Sequence, residues 1–169
     1  MSSFSAPHAT IFVAPSAAHV IEAVRRAWDA DSARQIAAHV TLVYPEEAPD
    51  VDLLAKRLRA AAEHVAPFML RVSGSPILNP ADGGVYLGVE DIEGGYERVR
   101  QLVLQPPLQM LSFRPHVTLI HPRTSQRGPE FARHGWSYGV VAFTAQRIAI
   151  TAFEGDAFTT VMSFALRRR

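Results

Sequence analysis

The stretches AHVTLVYP at residues 38–45 and PHVTLIHP at residues 115–122 share the tetrapeptide His-Val-Thr-Leu, and each closes on a proline. One four-residue identity carries little weight, since a chain this long holds one by accident about one time in ten. The surroundings carry more. Both stretches are apolar and β-branched, and the closing proline lacks the N–H that a ladder needs, so each predicts a short buried strand. Side chains alternate along a strand. His39 and Thr41 therefore share a face, about 7 Å apart, with Val40 and Leu42 behind them, and the same holds for His116 and Thr118. Each copy offers one titratable nitrogen beside one hydroxyl.

The rest of the chain bounds what these four residues can do. With 169 residues and 48% hydrophobic content, there is enough material for one well-cored domain or two small lobes sharing an interface. A single bilobal domain over 1–169 is expected. The chain has no cysteine, which excludes a disulfide framework, a thiolate nucleophile and a cysteine zinc site. Seventeen basic against sixteen acidic residues give a net charge of +1, so no broad surface for long duplex DNA is expected, while a small anion or a nucleic-acid end remains suitable. The opening MSSFSAPHATIFVAP has no basic start, and its apolar run is broken at Pro15. Neither a signal peptide nor a membrane span is expected, and the location expected is cytoplasmic. The closing Arg167, Arg168 and Arg169 read as a solvated basic tail.

Working outward from the two HVTL strands gives the element order. ATIFVAP, residues 9–15, reads as a first strand, followed by a helix capped by Ser16 with Val20, Ile21, Val24, Ala27 and Trp28 on its apolar stripe. The first HVTL strand follows. Asp50 caps a second helix carrying Leu54, Leu58, Ala61 and Val65, and Pro67 begins the strand FMLRVSGSPIL. NPADGG is a turn into VYLGVE, and a helix over 94–105 ends at Pro106 and Pro107. After the second HVTL strand, a polar stretch over 123–135 holds a short helix. VVAFTAQRIAITAFE and AFTTVMSFAL then form two strands joined through Gly155 and Asp156. Strand, helix, HVTL strand thus occurs in both halves, which predicts two related lobes with a cleft between them. Neither GxGxxG nor GxxxxGK is present, so the dinucleotide and P-loop folds are not expected.

Two histidines can hold opposite protonation states near neutral pH, one accepting a proton while the other donates. That suits cleavage of a phosphoester. One imidazole takes a proton from the attacking water, the other protonates the departing sugar oxygen, and the threonine hydroxyls donate to nonbridging oxygens. Such a scheme calls for no metal and no cofactor. A site with both histidines on a metal is the weaker alternative, because no HxH, HxxxH or carboxylate cluster supplies a third ligand.

At these residues the chain resembles the 2H phosphoesterase superfamily, and within it the 2′-5′ RNA ligase-like proteins. Their signature is a pair of H-x-[ST]-hydrophobic motifs, matched one for one by His39, Thr41, His116 and Thr118 at a separation of 116 minus 39, or 77, positions. The resemblance implies an α+β fold with two antiparallel sheets and flanking helices around a cleft, related by an approximate two-fold axis. It implies metal-independent hydrolysis of a 2′,3′-cyclic phosphate or a 2′-5′ phosphodiester, on RNA ends or small nucleotides. It further implies His39 as proton donor and His116 as acceptor. A noncatalytic module that binds a nucleotide or RNA end in the same cleft is the alternative from another class. A monomer is expected.

Further residues have a place beside the motifs. Tyr86 and Phe113 offer rings for base stacking, as does Tyr44, although strand parity sets Tyr44 on the face opposite His39. Arg114 and Arg123 bracket the second motif within reach of a phosphate. His121, five residues past His116, falls on the opposite face if the strand stays regular, and it is not a candidate on that ground. His8, His19, His64 and His134 read as ordinary surface or core histidines. The stretch over 124–139 is a candidate gate for the cleft.

Overall fold

The two HVTL segments are neighbours in one antiparallel sheet, and everything else in the fold is arranged about their junction. The computed structural model describes residues 5–134 and 139–167. In chain order its elements are β1 (Ser5–Phe12), α1 (Pro15–Trp28), α2 (Ala30–Gln35), β2 (His39–Val43), α3 (Val51–His64), β3 (Phe68–Leu78), β4 (Val85–Asp91), α4 (Gly95–Val103), β5 (His116–Ile120), α5 (Gly128–His134), β6 (Val141–Ala145), β7 (Arg147–Glu154) and β8 (Ala157–Ala165).

The eight strands run in the order β6-β3-β4-β5-β2-β1-β7-β8, and every pairing is antiparallel. This corrects the expectation of two separate sheets. There are two four-stranded halves, but they join where Val40 of β2 pairs with Val117 of β5. On either side of that single bridge the connectivity repeats, since β1-α1-α2-β2 and β4-α4-β5 each return a motif strand beside the strand that preceded the helix.

Between the helices and the sheet lies the core. Val40, Leu42, Val117 and Leu119 are fully buried, together with Leu54 and Leu58 of α3 and Val99 and Val103 of α4. One face of each motif strand is thereby fixed inward. A one-residue slip would drive those apolar side chains to the polar face, so burial sets the register of the histidines.

Local signals explain most element boundaries. Asp50 caps α3 as expected, accepting from the Asp52 and Leu53 N–H groups. The Ser16 cap is corrected: Ala14 is the cap and Pro15 the first helical residue, the position that suits a fixed φ and a missing N–H. VVAFTAQRIAITAFE is two strands rather than one, broken at Gln146, so that β6 pairs with β3 and β7 with β1 and β8. The six-residue α2, capped by Asp29, was not expected. Gly155 supplies the left-handed φ of +63° in the β7–β8 turn. No described helix is long and apolar enough to cross a membrane.

Candidate active site

Register brings the four motif residues together. Because Val40 faces Val117 in an antiparallel pair, the same register carried one residue each way sets His39 across from Thr118 and Thr41 across from His116. Direct neighbours in such a ladder have Cβ atoms about 5 Å apart and diagonal ones about 7–8 Å. The two histidines lie on the diagonal. That spacing leaves a phosphate-sized gap between their rings, with a threonine hydroxyl on each side.

Both imidazoles are held in the same tautomer by the same device. His39 Nδ1 lies 2.8 Å from the Ala37 carbonyl and His116 Nδ1 lies 2.9 Å from the Arg114 carbonyl, two residues upstream in each case. A carbonyl oxygen can only accept, so Nδ1 carries the hydrogen and Nε2 is left bare toward the open face. Burial lowers the His39 pKa to about 4, against the upward pull of its hydrogen bond to Ala37; the charges of Arg25, His8 and His116 lower it further. His39 is therefore neutral at pH 7 in the unliganded protein.

The segment leading into β2 is fixed from α1. Glu22 accepts from the Ala38 N–H and pairs with Arg25, whose other guanidinium nitrogen donates to the Ser32 carbonyl and hydroxyl. Beyond the strand, α4 holds the backbone: Tyr96 donates to the Thr41 carbonyl at 2.9 Å and Arg100 to the Leu42 carbonyl at 2.6 Å. Arg100 also pairs with Glu47 at 2.7 Å, both side chains being almost wholly buried. The Glu47 carboxylate accepts as well from the Tyr44 and Leu111 N–H groups. This network ties the end of β2 to the loop leading into β5, and breaking one partner of such a pair would leave an uncompensated buried charge.

A bulge in each motif strand changes which side chains reach the site. In β2, Thr41 pairs with Thr10 but Val43 with Ala9, leaving Leu42 as an extra residue. In β5, Thr118 pairs with Tyr86 but Ile120 with Val85, leaving Leu119 extra at the same motif position. An extra residue reverses the alternation beyond it. Tyr44 accordingly comes round to the face of His39 and Thr41, where burial raises the pKa of its hydroxyl, the neighbouring Thr41 side chain pulling the other way. The parity expectation for Tyr44 is corrected. His121, at the matching place in the second copy, is turned the same way by register; its backbone N–H donates to Asp29, and its Nδ1 accepts from the Arg123 N–H.

The other candidates fall on two sides of the histidine pair. Tyr44 and Phe113 stack with centroids 4.1 Å apart. Tyr86 stands edge-on to His116 at 5.0 Å and, with Arg114, lines an open cavity of about 900 Å³ that reaches His116. Arg123 is exposed in the turn after β5 and is not among the residues lining that cavity. Gly88, Ile77 and Val140 also line it, and sequence reasoning missed all three. Of the candidate gate, the first residues are seated against the end of α1: Thr124 bonds Asp29, Ser125 bonds the Trp28 carbonyl, and Arg127 lies over the Trp28 ring at 4.2 Å. Residues 135–138 of that stretch, like Arg168 and Arg169 of the basic tail, lie outside the described residues. Among the described residues no group of three or more His, Cys, Asp or Glu gathers.

The sequence model of the 2′-5′ RNA ligase superfamily matches residues 12–156. The chain belongs to this superfamily, that of the 2H phosphoesterases. Solved structures share the superfamily fold along their whole length. A protein described as a phosphoesterase is similar with a TM-score of 0.63 at 15% identity, over 96% of this chain and 99% of that one. LigT of E. coli complexed with NADP+ is similar with a TM-score of 0.59 at 15% identity, over 99% of this chain and all of LigT. The same protein complexed with 3′-AMP gives 0.56 at 16% identity, over 96% and 98%. No curated protein matches the sequence.

Proposed function

We propose that this 2H superfamily member is a phosphodiesterase that hydrolyses 2′,3′-cyclic phosphate ends of RNA, small cyclic nucleotides or 2′-5′ phosphodiester linkages without a metal. The observation that carries the reading is the pair of imidazoles with bare Nε2 atoms on one face, each fixed by a carbonyl at its Nδ1. The nucleotide complexes of LigT support a nucleotide as ligand.

In this scheme the phosphate sits between His39 and His116, and Thr41 and Thr118 donate to its nonbridging oxygens. His116 Nε2 takes a proton from water as the oxygen attacks phosphorus, and His39 gives a proton to the departing sugar oxygen, sparing it from leaving as an alkoxide. His39 is neutral before substrate arrives. The anionic phosphate, a few ångströms from the ring, raises its pKa and draws in the proton to be donated.

The test is turnover of a panel of 2′,3′-cyclic nucleotides and 2′-5′-linked dinucleotides in EDTA, with products separated as 2′- or 3′-phosphates. Turnover is expected to persist in EDTA. Complete loss there would assign the chemistry to a metal, and stoichiometric binding without turnover would make the protein a binding module.

A further inference from the structure

Each motif strand leaves the site through a similar joint, and each joint is held by the other half of the molecule. Five residues past its histidine, the first strand presents the Tyr44 N–H and the second the His121 N–H. The Tyr44 N–H donates to Glu47 at 3.0 Å and the His121 N–H to Asp29 at 2.7 Å. Both carboxylates are buried, at 1% and 2% exposure, where such a bond is stronger than in water. Asp29 lies between α1 and α2, in the connection from β1 to β2, so the first half holds the exit of β5. Thr124 donates to the same carboxylate at 2.8 Å, and Ser125 and Arg127 donate to the Trp28 and Ala27 carbonyls at the end of α1. In return α4, the connection from β4 to β5, holds the exit of β2. Tyr96 donates to the carbonyl of Thr41 and Arg100 to that of Leu42, the extra residue of the bulge. Arg100 also donates to both oxygens of Glu47. In the ladder itself, β2 and β5 meet at the single pair Val40 and Val117.

We propose that Asp29, Tyr96 and Arg100 are positioning residues that set the span between His39 and His116, each half of the fold bracing the motif strand of the other. The proposal rests on the phosphodiesterase reading and adds to it the groups that hold its acid and base in line. A single ladder pair acts as a pivot. It sets the register of β2 against β5 and leaves the angle between them to whatever holds the strand ends. The brace on β2 sits on the motif itself, at Thr41 and Leu42, and the brace on β5 sits three residues past Thr118. A phosphate held from both sides needs two imidazoles and two hydroxyls in place at once, and a misplacement of about 1 Å costs about 10²-fold in rate. The three residues act through the backbone of the strands. Which imidazole nitrogen is bare is fixed separately, by the Ala37 and Arg114 carbonyls, so loosening the brace shifts the rings without changing their tautomer.

The test loosens one brace at a time: Asp29→Asn, which keeps the volume but gives up a carboxylate oxygen, and Tyr96→Phe, which removes only a hydroxyl. Each is made in the wild type and in His116→Ala, and turnover of 2′,3′-cyclic AMP is measured in EDTA on protein shown to be folded by its urea transition. In the wild-type background kcat is expected to fall about ten- to a hundredfold in Asp29→Asn and about three- to tenfold in Tyr96→Phe, with KM within about threefold. In His116→Ala no span remains to be set, and the same substitutions should cost less than about twofold. Equal losses in both backgrounds would make the residues merely structural and overturn the proposal, as would an unchanged kcat in both single variants. Should Asp29→Asn fail to fold, Tyr96→Phe decides alone. A wild type without turnover sinks the phosphodiesterase reading, and the brace is then judged by binding of inorganic phosphate, followed through the ring nitrogen resonances of His39 and His116. Its Kd should rise at least about threefold in both brace variants, and an unchanged Kd overturns the brace.

Discussion

The half-site at His39 and the half-site at His116 share a tetrapeptide, a one-residue bulge and an Nδ1–carbonyl bond, yet their neighbours across the ladder differ. His39 is walled by Phe12 and approached by Arg25, so its imidazole resists protonation. His116 faces Gly88 and the cavity. The reacting atoms are duplicated while their settings are not, and the lesson is that chemistry and recognition are separately encoded here. In the proposed reaction, proton transfer is assigned to the repeat. The positions across the ladder, Phe12 and Gly88, are where the two copies differ.

The equivalence of the two histidines can be broken first by removing each in turn. His39→Ala and His116→Ala are each expected to lower kcat on a hydrolysed nucleotide by about 10²–10⁴-fold. A loss confined to one of them, measured by steady-state kinetics, would show that only one half-site reacts. Next comes the ion pair behind the first copy: Arg100→Ala leaves the Glu47 carboxylate buried without its counter-charge and should cost about 3–5 kcal/mol in urea unfolding. The threonines sharpen the comparison further. Thr41→Val and Thr118→Val each remove a hydroxyl donor to a charged phosphate and should lower kcat/KM by about ten- to a hundredfold. A much smaller loss in one would show that its hydroxyl does not face the phosphate.

The last difference concerns pH. Burial holds the His39 pKa near 4 in the folded protein, whereas the unfolded chain titrates near 6.5. The unfolded state then binds more protons between those values, so the stability from neutral His39 is complete above about pH 6.5 and is lost as pH falls toward 4. His39→Gln should flatten that part of the stability profile in urea titrations at pH 7.5 and 4.5. A variant with the wild-type slope would place the ring in a more solvated setting.

The histidines and threonines were legible because strand parity inside HVTL depends only on neighbours in sequence. The same parity failed for Tyr44, since an extra Leu42 in the ladder reverses the faces beyond it, and nothing local marks a bulge there. His121 was set aside on the same ground. The junction of the two halves was illegible for a related reason: β2 and β5 are far apart in sequence, and their link is the Val40–Val117 pair. Gly88 reads as an ordinary strand glycine until the pairing of β4 with β5 puts it opposite His116. The short polar α2 has no apolar periodicity to announce it, and its cap at Asp29 is visible only once Ser32 donates to that carboxylate.

The central claim, that His39 and His116 act as one acid/base unit, is tested most directly by a double-mutant cycle on a 2′,3′-cyclic nucleotide in EDTA. Groups that act together are not additive, so the double alanine variant should be no more than about threefold slower than the slower single variant. Losses that multiply across the two positions, or wild-type turnover in either single variant, would contradict it.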